Sequence, residues 1–488
     1  MSLTIYNTLS RKKEVFEPIE PGKIKMYVCG MTTYDLCHLG HARACVAFDV
    51  VQRYLRFSSY DVTYIRNITD VDDKIIQRAN ERGVSPEDLA NQYIEEFHKD
   101  MESLDVQLAD VEPRVSTHIQ EIIQLIVRIL EQGHAYAVDG DVYFDIQSFD
   151  PYGVLSRRTV EELQAGARIE VDSRKKNPAD FALWKSVKPG EPSWESPWGP
   201  GRPGWHIECS AMSCTHLGDE FDIHGGGVDL IFPHHENEIA QSHGASGNPP
   251  VRYWMHNGHV NVDSEKMSKS LKNFFTIREI LDIHHPQAIR LFLLSTHYRS
   301  PINYSLQTLE DAERRLAYLY DTLLGIDTAL AEGIDTESGD LLEGDRVQHI
   351  LTLFGEAMND DFNSPLALGH LSDVAKLAND LIRRKKKTPG RGKTLQAIRD
   401  ALTSIGNVLG VMNRDPRETL EALRVLAIKR LGIDEARIDQ LVEERTMARS
   451  ERDWERADLL RDQLTEEGIE LMDGPEGTTW RPTFANPS

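Results

Sequence analysis

Cysteine is scarce in this chain, and its few copies are spread out. The 488 residues include only five cysteines, an odd number without the dense, paired spacing of a disulfide-built secreted domain. This scarcity excludes a disulfide scaffold and predicts a reducing compartment, so we expect a cytoplasmic protein. We interpret three of the five, Cys37, Cys45 and Cys214, as packing residues.

The sequence also lacks the apolar segments that membranes and secretion require. No run approaches the roughly 20 apolar residues of a membrane-spanning helix. Met1 to Glu20 mix polar and charged residues without an apolar core and a small-residue cleavage site, so we expect neither a secretory signal nor a membrane partner. With 40% hydrophobic residues, the chain is long and apolar enough for several packed domains.

A surplus of positive charge is absent as well. The formal net charge is -23, and a uniformly acidic surface would repel a nucleic acid. Contact with phosphates would therefore need local basic clusters, although each cluster taken alone is more typical of a solvated surface. The candidates are Arg11 to Lys13, Arg174 to Lys176, Arg383 to Lys387, Arg391 and Lys393.

Two short, distant motifs are the most informative part of what the sequence does contain. The first, His38-Leu39-Gly40-His41, follows a mostly apolar run from Ile24 to Cys29 and begins a helix-compatible stretch, Ala42 to Arg53. It therefore lies at a strand-to-helix turn, where open α/β sheets bind ligands and helix N-termini attract anions. Gly40 would let a flat base pack against backbone, and the two histidines are close enough to donate jointly to phosphate oxygens.

The second motif, Lys266-Met267-Ser268-Lys269-Ser270, supplies two ammonium groups. Charge that develops on the α-phosphate and the departing pyrophosphate during adenylyl transfer needs donors aimed at the transition state. The catalytic candidates are His38, His41, Lys266 and Lys269, and we expect Mg²⁺ to accompany ATP. The first motif alone arises by chance and a lysine loop is commonly solvated, but the pair in this order resembles the class I aminoacyl-tRNA synthetases.

A second constellation, Cys29, Cys209, His234 and Glu238, has the donors of a zinc site. His234 and Glu238 are four residues apart, so a helix would place both on one face. Two thiolates, an imidazole and a carboxylate are an acceptable zinc set, although the close pairing of an ordinary zinc finger is missing. From spacing alone, two small buried thiols and a core histidine are an equally good interpretation.

Several longer segments resemble cysteinyl-tRNA synthetases nearly end to end. They are Tyr27 to Asp35, Asn67 to Lys74, Asp180 to Lys185, Gly204 to Met212 and His224 to Glu238. The resemblance implies a ligase that activates L-cysteine with ATP and transfers it to the 3′ end of tRNA(Cys). It also implies that Cys29, Cys209, His234 and Glu238 bind one zinc ion, which takes the substrate thiol directly.

Sulfur chemistry is consistent with that implied role. A thiol with an ordinary pKa of about 8.5 becomes a thiolate on a metal, whereas a serine hydroxyl is a poorer zinc ligand and much less acidic. Rejecting serine by a factor of roughly 10⁴ to 10⁵ requires a larger difference in binding free energy than an apolar pocket supplies for one methylene group. The loss of a metal bond would provide that difference. An editing domain would then be unnecessary.

The resemblance extends to the rest of the pocket. Gly30, Thr69 and Trp205 are expected to contact the substrate cysteine, with core packing as the alternative. The expected ATP-binding residues are Gly40, Lys269, the triplet Gly225, Gly226 and Gly227, whose bare backbone would approach the nucleotide, and Asp229, which would accept from ribose hydroxyls. A glycine triplet is also common in a plain turn.

The order of segments predicts a Rossmann-like α/β core with a parallel sheet, an inserted domain and two further parts. Residues 1–111 and 201–310 would form the two halves of the core, the second with the lysine-motif loop, and residues 112–200 an inserted connective domain. Apolar residues spaced by three and four predict a helical bundle over 311–410, and the resemblance implies that this bundle binds tRNA. Residues 411–488 would form a small α+β module, with one charged helix from Asp434 to Glu467 and a hairpin from Ile469 to Pro482.

In the family that the chain resembles, the terminal module reads the anticodon of tRNA. Residues with suitable chemistry for unpaired bases are Arg449, Trp454, Asp458, Asp473 and Trp480, each of which is individually more typical of a fold residue or a solvated charge. We expect a monomer whose partners are ATP, L-cysteine and tRNA(Cys).

Two other functions stay open at this point. A cysteine ligase of thiol biosynthesis would use the same adenylate chemistry but join cysteine to an amino sugar, and its resemblance would end before the terminal module. An RNA-binding or zinc-stabilised structural protein without activity would have a damaged reaction motif, whereas both motifs are intact here.

Overall fold

The computed structural model describes residues 2–159, 173–262, 275–384, 388–474 and 477–483, together with the backbone of residues 265–266. Its strands are β1 (Thr4–Asn7), β2 (Lys12–Val15), β3 (Lys23–Val28), β4 (Asp61–Arg66), β5 (Ala135–Val138), β6 (Asp141–Phe144), β7 (Phe181–Ser186), β8 (Gly201–Pro203), β9 (Phe221–Gly227), β10 (Val251–Asn257), β11 (Val260–Val262), β12 (Glu265–Lys266), β13 (Ile302–Tyr304), β14 (Ile469–Gly474) and β15 (Gly477–Pro482). Its α-helices are α1 (Leu39–Phe57), α2 (Asp73–Arg82), α3 (Pro86–Ser103), α4 (Ile119–Glu131), α5 (Trp205–Leu217), α6 (Glu236–Ser246), α7 (Ile277–Leu281), α8 (Pro286–Leu294), α9 (Leu306–Ala331), α10 (Gly344–Gln348), α11 (Ile350–Asn359), α12 (Ser364–Arg383), α13 (Arg391–Leu409), α14 (Pro416–Leu431), α15 (Glu435–Ser450) and α16 (Trp454–Glu466).

A four-stranded, fully parallel sheet forms the centre of the predicted α/β core, in the order β10-β9-β3-β4. The chain passes from β3 to β4 on one side and from β9 to β10 on the other, so β3 and β9 flank the point where the strand order reverses. Ligands bind at the carboxyl ends of strands at such a point. The predicted Rossmann-like parallel core is therefore confirmed.

Helix α1 covers one face of this sheet, and its sequence shows why it forms there. Leu39, Ala42, Val46 and Val50 recur at helical spacing and are all buried in the main hydrophobic cluster. The helix is longer than the predicted stretch from Ala42 to Arg53, because the first motif itself makes the first turn. The two histidines of that motif consequently stand at the helix N-terminus.

The region between the two halves of the core contains a second, antiparallel sheet in the order β5-β6-β7-β8. It packs with α4, α5 and α6 around buried Phe144, Leu183 and Trp184. Lys185 Nζ lies 2.7 Å from Asp73 Oδ2, which ties β7 to the start of α2. The sheet thus contacts a segment that follows the carboxyl end of β4.

Helices α9 to α13 form the predicted bundle, and the C-terminal residues form helices followed by the predicted hairpin β14–β15. The single charged helix expected from Asp434 to Glu467 was wrong, since the structure has two helices, α15 and α16. Arg452 adopts a left-handed conformation with φ of 62°, and the Asp453 side chain accepts a hydrogen bond from Arg456 N and caps α16. Among the described residues, no helix combines the length and apolar character needed to cross a bilayer.

Candidate active site

A cavity of about 380 Å³ opens at the carboxyl ends of the parallel strands. It brings together residues that the sequence separates by more than two hundred positions. Its lining includes His38, Gly40 and His41 of the first motif, Gly30, Thr69 and Trp205, Gly227 and Asp229, and the candidate metal ligands Cys29, Cys209 and His234. Residues from each predicted group, for the nucleotide, the amino acid and the metal, therefore line one cavity, although Glu238, Gly225 and Gly226 are not among the lining residues.

The first motif caps α1 through its own two imidazoles. His38 Nδ1 accepts hydrogen bonds from Gly40 N (3.0 Å) and His41 N (3.3 Å), and His41 Nδ1 accepts from His38 N (3.3 Å). The rings stack with centroids 3.7 Å apart. Because both Nδ1 atoms accept, each neutral ring carries its proton on Nε2, which is then a donor. The N-terminus of α1 thus presents two imidazole donors to the cavity.

The second motif begins beside this cavity. The backbone of Lys266 lies in β12, opposite Asn261 of β11, and Val260 of β11 lines the cavity. Lys269, and the side chain of Lys266, lie outside the described residues. The chain that follows returns to the first motif, since Leu39 N donates to Phe275 O (3.3 Å) and Ile277 N donates to Cys37 O (3.0 Å). Residues on both sides of the lysine loop are therefore held close to the histidines.

The four candidate metal ligands come together as predicted, with all four ligand atoms within 4.8 Å of one another. Cys29 Sγ lies 3.7 Å from Cys209 Sγ and 3.5 Å from Glu238 Oε1, and His234 Nε2 lies 3.1 Å from the same carboxylate oxygen. Zinc bond lengths of about 2.0 to 2.3 Å with tetrahedral angles give ligand separations of about 3.3 to 3.8 Å. The donor types fit one zinc ion, and two of these three separations fall in that range, while the His234–Glu238 separation of 3.1 Å lies slightly below it.

The electrostatics of the group also favour a cation. Burial raises the pKa of Cys29 well above its ordinary value, while the hydrogen bond from Cys29 lowers the pKa of Cys209 to about 6. Burial alone would lower the pKa of His234, but Glu238 and Cys209 raise it to about 10. In the metal-free protein the group therefore holds a positive imidazolium where its two acidic partners would otherwise repel each other.

The predicted amino-acid residues lie in the same cavity as the metal group, a name used for the four ligands Cys29, Cys209, His234 and Glu238. Gly30 N donates to Asn67 Oδ1 (2.8 Å), and a Cβ on Gly30 would lie 1.6 Å from Asn67 O. Asn67 Nδ2 donates to Thr69 Oγ1 (3.3 Å). The Trp205 ring, which is 39% exposed, stacks on His234 with centroids 4.6 Å apart. Buried Asn67, which sequence reasoning missed, therefore positions both Gly30 and Thr69.

The glycine triplet has a different position from the one expected. Gly225 and Gly226 are buried within β9, which continues to Gly227, and they do not belong to the cavity lining. A Cβ on Gly225 would lie 2.4 Å from the Phe48 ring, and one on Gly226 would lie 2.8 Å from His235 Cε1. These two glycines allow α1 and the metal region to approach the sheet closely, whereas Gly227 lines the cavity.

A layer of histidines behind the metal group, buried except for the half-buried His206, was not predicted. His206 Nδ1 lies 2.9 Å from His234 Nδ1, and His224 Nε2 lies 2.9 Å from Glu238 Oε2. His235 and His256 complete the layer. His224 and His256 lie in strands β9 and β10, and His235 directly follows the predicted ligand His234, a pattern that was visible in the sequence. The role of these histidines depends on hydrogen bonds between distant segments, which the sequence pattern does not show.

The other sequence candidates have varied surroundings. None of the five cysteines, all of them described, forms a disulfide. Arg391 is buried and donates to Leu381 O (2.8 Å), so it caps α12 instead of forming a basic surface. Lys385 to Lys387 lie outside the described residues. In the terminal module Trp480 is 9% exposed and donates to Asp439 Oδ1 (2.7 Å), which makes it a core residue, whereas Trp454 is 59% exposed.

Three family models match successive parts of the chain. Residues 15–314 match the class I (C) tRNA synthetase catalytic domain, residues 353–413 match the DALR domain, and residues 435–481 match the cysteinyl-tRNA ligase anticodon binding domain. The methionyl-tRNA synthetase of Mycobacterium tuberculosis, solved with methionyl-adenylate, has a similar fold with a TM-score of 0.60 at 17% identity, covering 84% of this chain and 94% of that one. The fold and the paired motifs thus define a class I aminoacyl-tRNA synthetase.

Curated relatives are similar over nearly the whole length. The cysteine–tRNA ligase of Syntrophotalea carbinolica is 51% identical and that of Geobacter metallireducens 53% identical, each over 99% of this chain and 100% of the relative. The chloroplastic/mitochondrial cysteine–tRNA ligase of Arabidopsis thaliana is 53% identical over 99% of this chain and 86% of its own. The chain belongs to the cysteine–tRNA ligase family, and the terminal match is the feature that a thiol-biosynthesis ligase was expected to lack.

Proposed function

We propose that this enzyme forms cysteinyl adenylate and pyrophosphate from L-cysteine and ATP, and then transfers cysteine to the 3′ end of tRNA(Cys). The observation that carries the proposal is the single cavity in which the imidazoles of the first motif and the thiolate-rich metal group both stand. One group suits a phosphate and the other suits a thiol. Cysteine is the amino acid whose side chain matches the second group.

Activation would use the capped end of α1. The Nε2–H groups of His38 and His41 would donate to the α-phosphate and departing pyrophosphate. Lys266, whose backbone pairs with β11, and Lys269 would add two ammonium groups. Such donors accelerate the step because they are already in place when the charge develops. Mg²⁺ would accompany ATP, and Asp229 would accept from a ribose hydroxyl.

Selection of the side chain would use the metal group. Zinc held by Cys29, Cys209, His234 and Glu238 would bind the substrate sulfur as a thiolate, a bond that serine cannot replace with equal strength. Gly30 and Thr69, positioned by Asn67, are suited to the polar groups of the amino acid, and Trp205 forms the cavity wall over His234. No editing site is needed if the metal bond supplies the discrimination.

Transfer to tRNA requires no nucleophile from the protein, because the terminal ribose hydroxyl attacks the activated carbonyl. The C-terminal module would bind the anticodon, and exposed Trp454 at the start of α16 has a ring suited to stacking on an unpaired base. We further propose that the enzyme acts in the cytoplasm as a monomer. Sedimentation of the purified chain tests the second of these points.

The test of the function is pyrophosphate exchange into ATP with cysteine or serine, on zinc-loaded and chelator-treated protein, with and without tRNA. We expect zinc-dependent exchange with cysteine and not with serine, followed by charging of the tRNA. Exchange without charging would instead favour the thiol-biosynthesis ligase. The absence of exchange with any amino acid would contradict adenylate formation.

A variant connects this assay to the first motif. His41→Asn is expected to slow exchange by roughly 10²- to 10³-fold, because it removes a donor at the transition state. His349→Asn, in an exposed histidine of the bundle, is the matched control and should exchange at the wild-type rate. Near-normal exchange by folded His41→Asn would remove that histidine from the catalytic role.

A further inference from the structure

A chain of three hydrogen-bonding groups runs from the turn after β1 to the metal group. Thr8 Oγ1 lies 2.8 Å from His256 Nδ1, His256 Nε2 lies 2.8 Å from His235 Nδ1, and His235 Nε2 lies 3.4 Å from Cys29 Sγ. His235 is fully buried and His256 is 5% exposed. Thr8 is held in place because its backbone N donates to Trp254 O (2.9 Å).

The direction of each hydrogen bond in this series follows from the sulfur atom at its end. A cysteine that ligates a metal carries no proton, so its sulfur can only accept. His235 must then carry its proton on Nε2, which leaves Nδ1 to accept from His256 Nε2, and His256 Nδ1 to accept from the Thr8 hydroxyl. Every link has one donor and one acceptor, and both imidazoles remain neutral.

His235 has a geometry that would also suit a metal ligand. Its Nε2 atom, with His224, Cys29 and Glu238, forms a second set of four donors within 4.8 Å of one another. The cavity distinguishes the two sets, since Cys29, Cys209 and His234 line it, whereas His224 and His235 do not. A metal that meets a substrate in this cavity must be bound by the set that includes Cys209 and His234, which leaves His235 in the layer behind.

We propose that Thr8 and His256 are positioning residues that act through His235 on the thiolate of Cys29. The chain orients the His235 N–H toward sulfur, and that hydrogen bond fixes the sulfur position and withdraws charge from it. Such outer partners typically change metal affinity by roughly 10- to 100-fold when they are removed. The proposal rests on the metal site of the proposed function but on none of its catalytic steps.

The test measures metal binding directly, so it remains informative if the enzyme has a different activity. Zinc affinity is determined by competition with a chromophoric chelator, and the thiolate-to-cobalt charge-transfer band is recorded on Co²⁺-substituted full-length protein. Thr8→Val removes only the hydroxyl and keeps the shape of the side chain, whereas Thr8→Ser keeps the hydroxyl and is the matched control. His256→Phe interrupts the chain at its centre.

We expect His256→Phe to weaken zinc binding by roughly 10-fold or more and Thr8→Val by several-fold, both with a shifted charge-transfer band. Thr8→Ser should bind zinc as the wild type does. His235→Gln, which keeps an N–H donor, should bind more tightly than His235→Phe. Far-ultraviolet circular dichroism confirms that each variant is folded.

Two results would overturn the proposal. The first is wild-type affinity and an unshifted band in both Thr8→Val and His256→Phe. The second is loss of stoichiometric metal binding in His235→Gln while the other two variants bind normally, which would make His235 a ligand. Neither result would bear on cysteine activation, which the exchange assay tests separately.

Discussion

At the scale of single residues, Cys29 connects the parallel sheet to the metal group. Its backbone N donates to Gly225 O (3.0 Å), which extends the pairing of β3 and β9 by one residue. Its sulfur contacts Cys209, Glu238 and His235. A residue that ends a buried strand has little freedom of position, so the thiol is placed before any metal arrives. This preorganisation limits the reorganisation that metal binding requires.

The partner thiol gives a test of the ligand set. Cys209→Ser replaces a thiolate by a poor zinc ligand, so we expect zinc affinity to fall by more than about 100-fold, beyond the effect of losing an outer partner. Zinc content after dialysis against chelator measures the loss. Cys214→Ser, in a half-buried cysteine that donates to Asp219, should retain zinc fully. Full retention by Cys209→Ser would exclude Cys209 as a ligand.

Gly30 tests the amino-acid pocket. Gly30→Ala would place a methyl group 1.6 Å from Asn67 O, so the loops after β3 and β4 must separate, at a cost of about 3 kcal/mol or more in unfolding free energy. Cysteine binding should weaken as well. Gly369→Ala in α12, where a Cβ meets nothing within 4 Å, should instead stabilise by about 0.5 to 1 kcal/mol. Urea unfolding compares the two, and wild-type stability of Gly30→Ala would contradict the close contact.

At the scale of elements, two of the described helices, α1 and α8, begin with a histidine whose side chain caps the helix. His285 caps α8, because its Nδ1 accepts from Gln287 N (3.2 Å), while Pro286 occupies the first turn. Only a neutral imidazole can accept at that atom. Burial, assisted by the charge of Arg414, lowers the pKa of His285 to about 4. The cap is therefore coupled to pH.

The sign of that coupling is fixed by the lowered pKa. Between pH 6.5 and 4 the unfolded chain binds a proton at His285 that the folded chain does not, so the stability contributed by this group falls as pH drops through that window. His285→Asn keeps a good cap and removes the proton. We expect its unfolding free energy to match the wild type near pH 7 and to exceed it by up to about 3 kcal/mol near pH 4.5. Parallel pH dependences in urea unfolding would contradict this.

Sequence patterns predicted most elements, and the exceptions have physical reasons. The strand ending at Cys29, the bundle helices and the terminal hairpin follow from periodicity and turn residues. The break between α15 and α16 did not, because it uses Arg452 in a left-handed conformation and an Asp453 cap without glycine or proline. The burial of Gly225 and Gly226 depends on Phe48 and His235 from distant segments, which no local pattern encodes.

The chemistry of the candidate site was more predictable from the sequence than the residues that hold its side chains in place. Motif residues and ligand types pointed to ATP and zinc, and the structure brings nearly all of the described ones to one cavity. The supporting residues, Asn67, His235 and His256, were missed because their roles depend on hydrogen bonds between strand ends. The boundaries of the five predicted segments stay predictions.

At the scale of the whole molecule, a few buried charges join the catalytic region to the bundle. Asp361, fully buried in the loop after α11, accepts from Tyr6 N (2.9 Å), Tyr298 Oη (2.8 Å) and Arg299 Nε (2.6 Å). These partners lie in β1 and in the segment before β13, which pairs with β11 at the cavity. One carboxylate therefore links the bundle to β1 and to the segment that leads into β13.

We expect Asp361→Asn to lower the unfolding free energy by about 2 to 3 kcal/mol, because an amide tolerates the left-handed backbone there but cannot neutralise Arg299. The neighbouring Asp360→Asn is the control. Asp360 forms an exposed ion pair with Lys13, and its substitution should change stability by less than about 1 kcal/mol. Equal effects of the two substitutions in urea unfolding would contradict the linking role.

Co²⁺-substituted protein shows whether the metal group binds the substrate sulfur, as proposed. Addition of cysteine should intensify the thiolate-to-cobalt charge-transfer band, because a third thiolate joins Cys29 and Cys209, and addition of serine should leave the band unchanged. A band that does not respond to saturating cysteine would contradict the claim that the metal selects the amino acid.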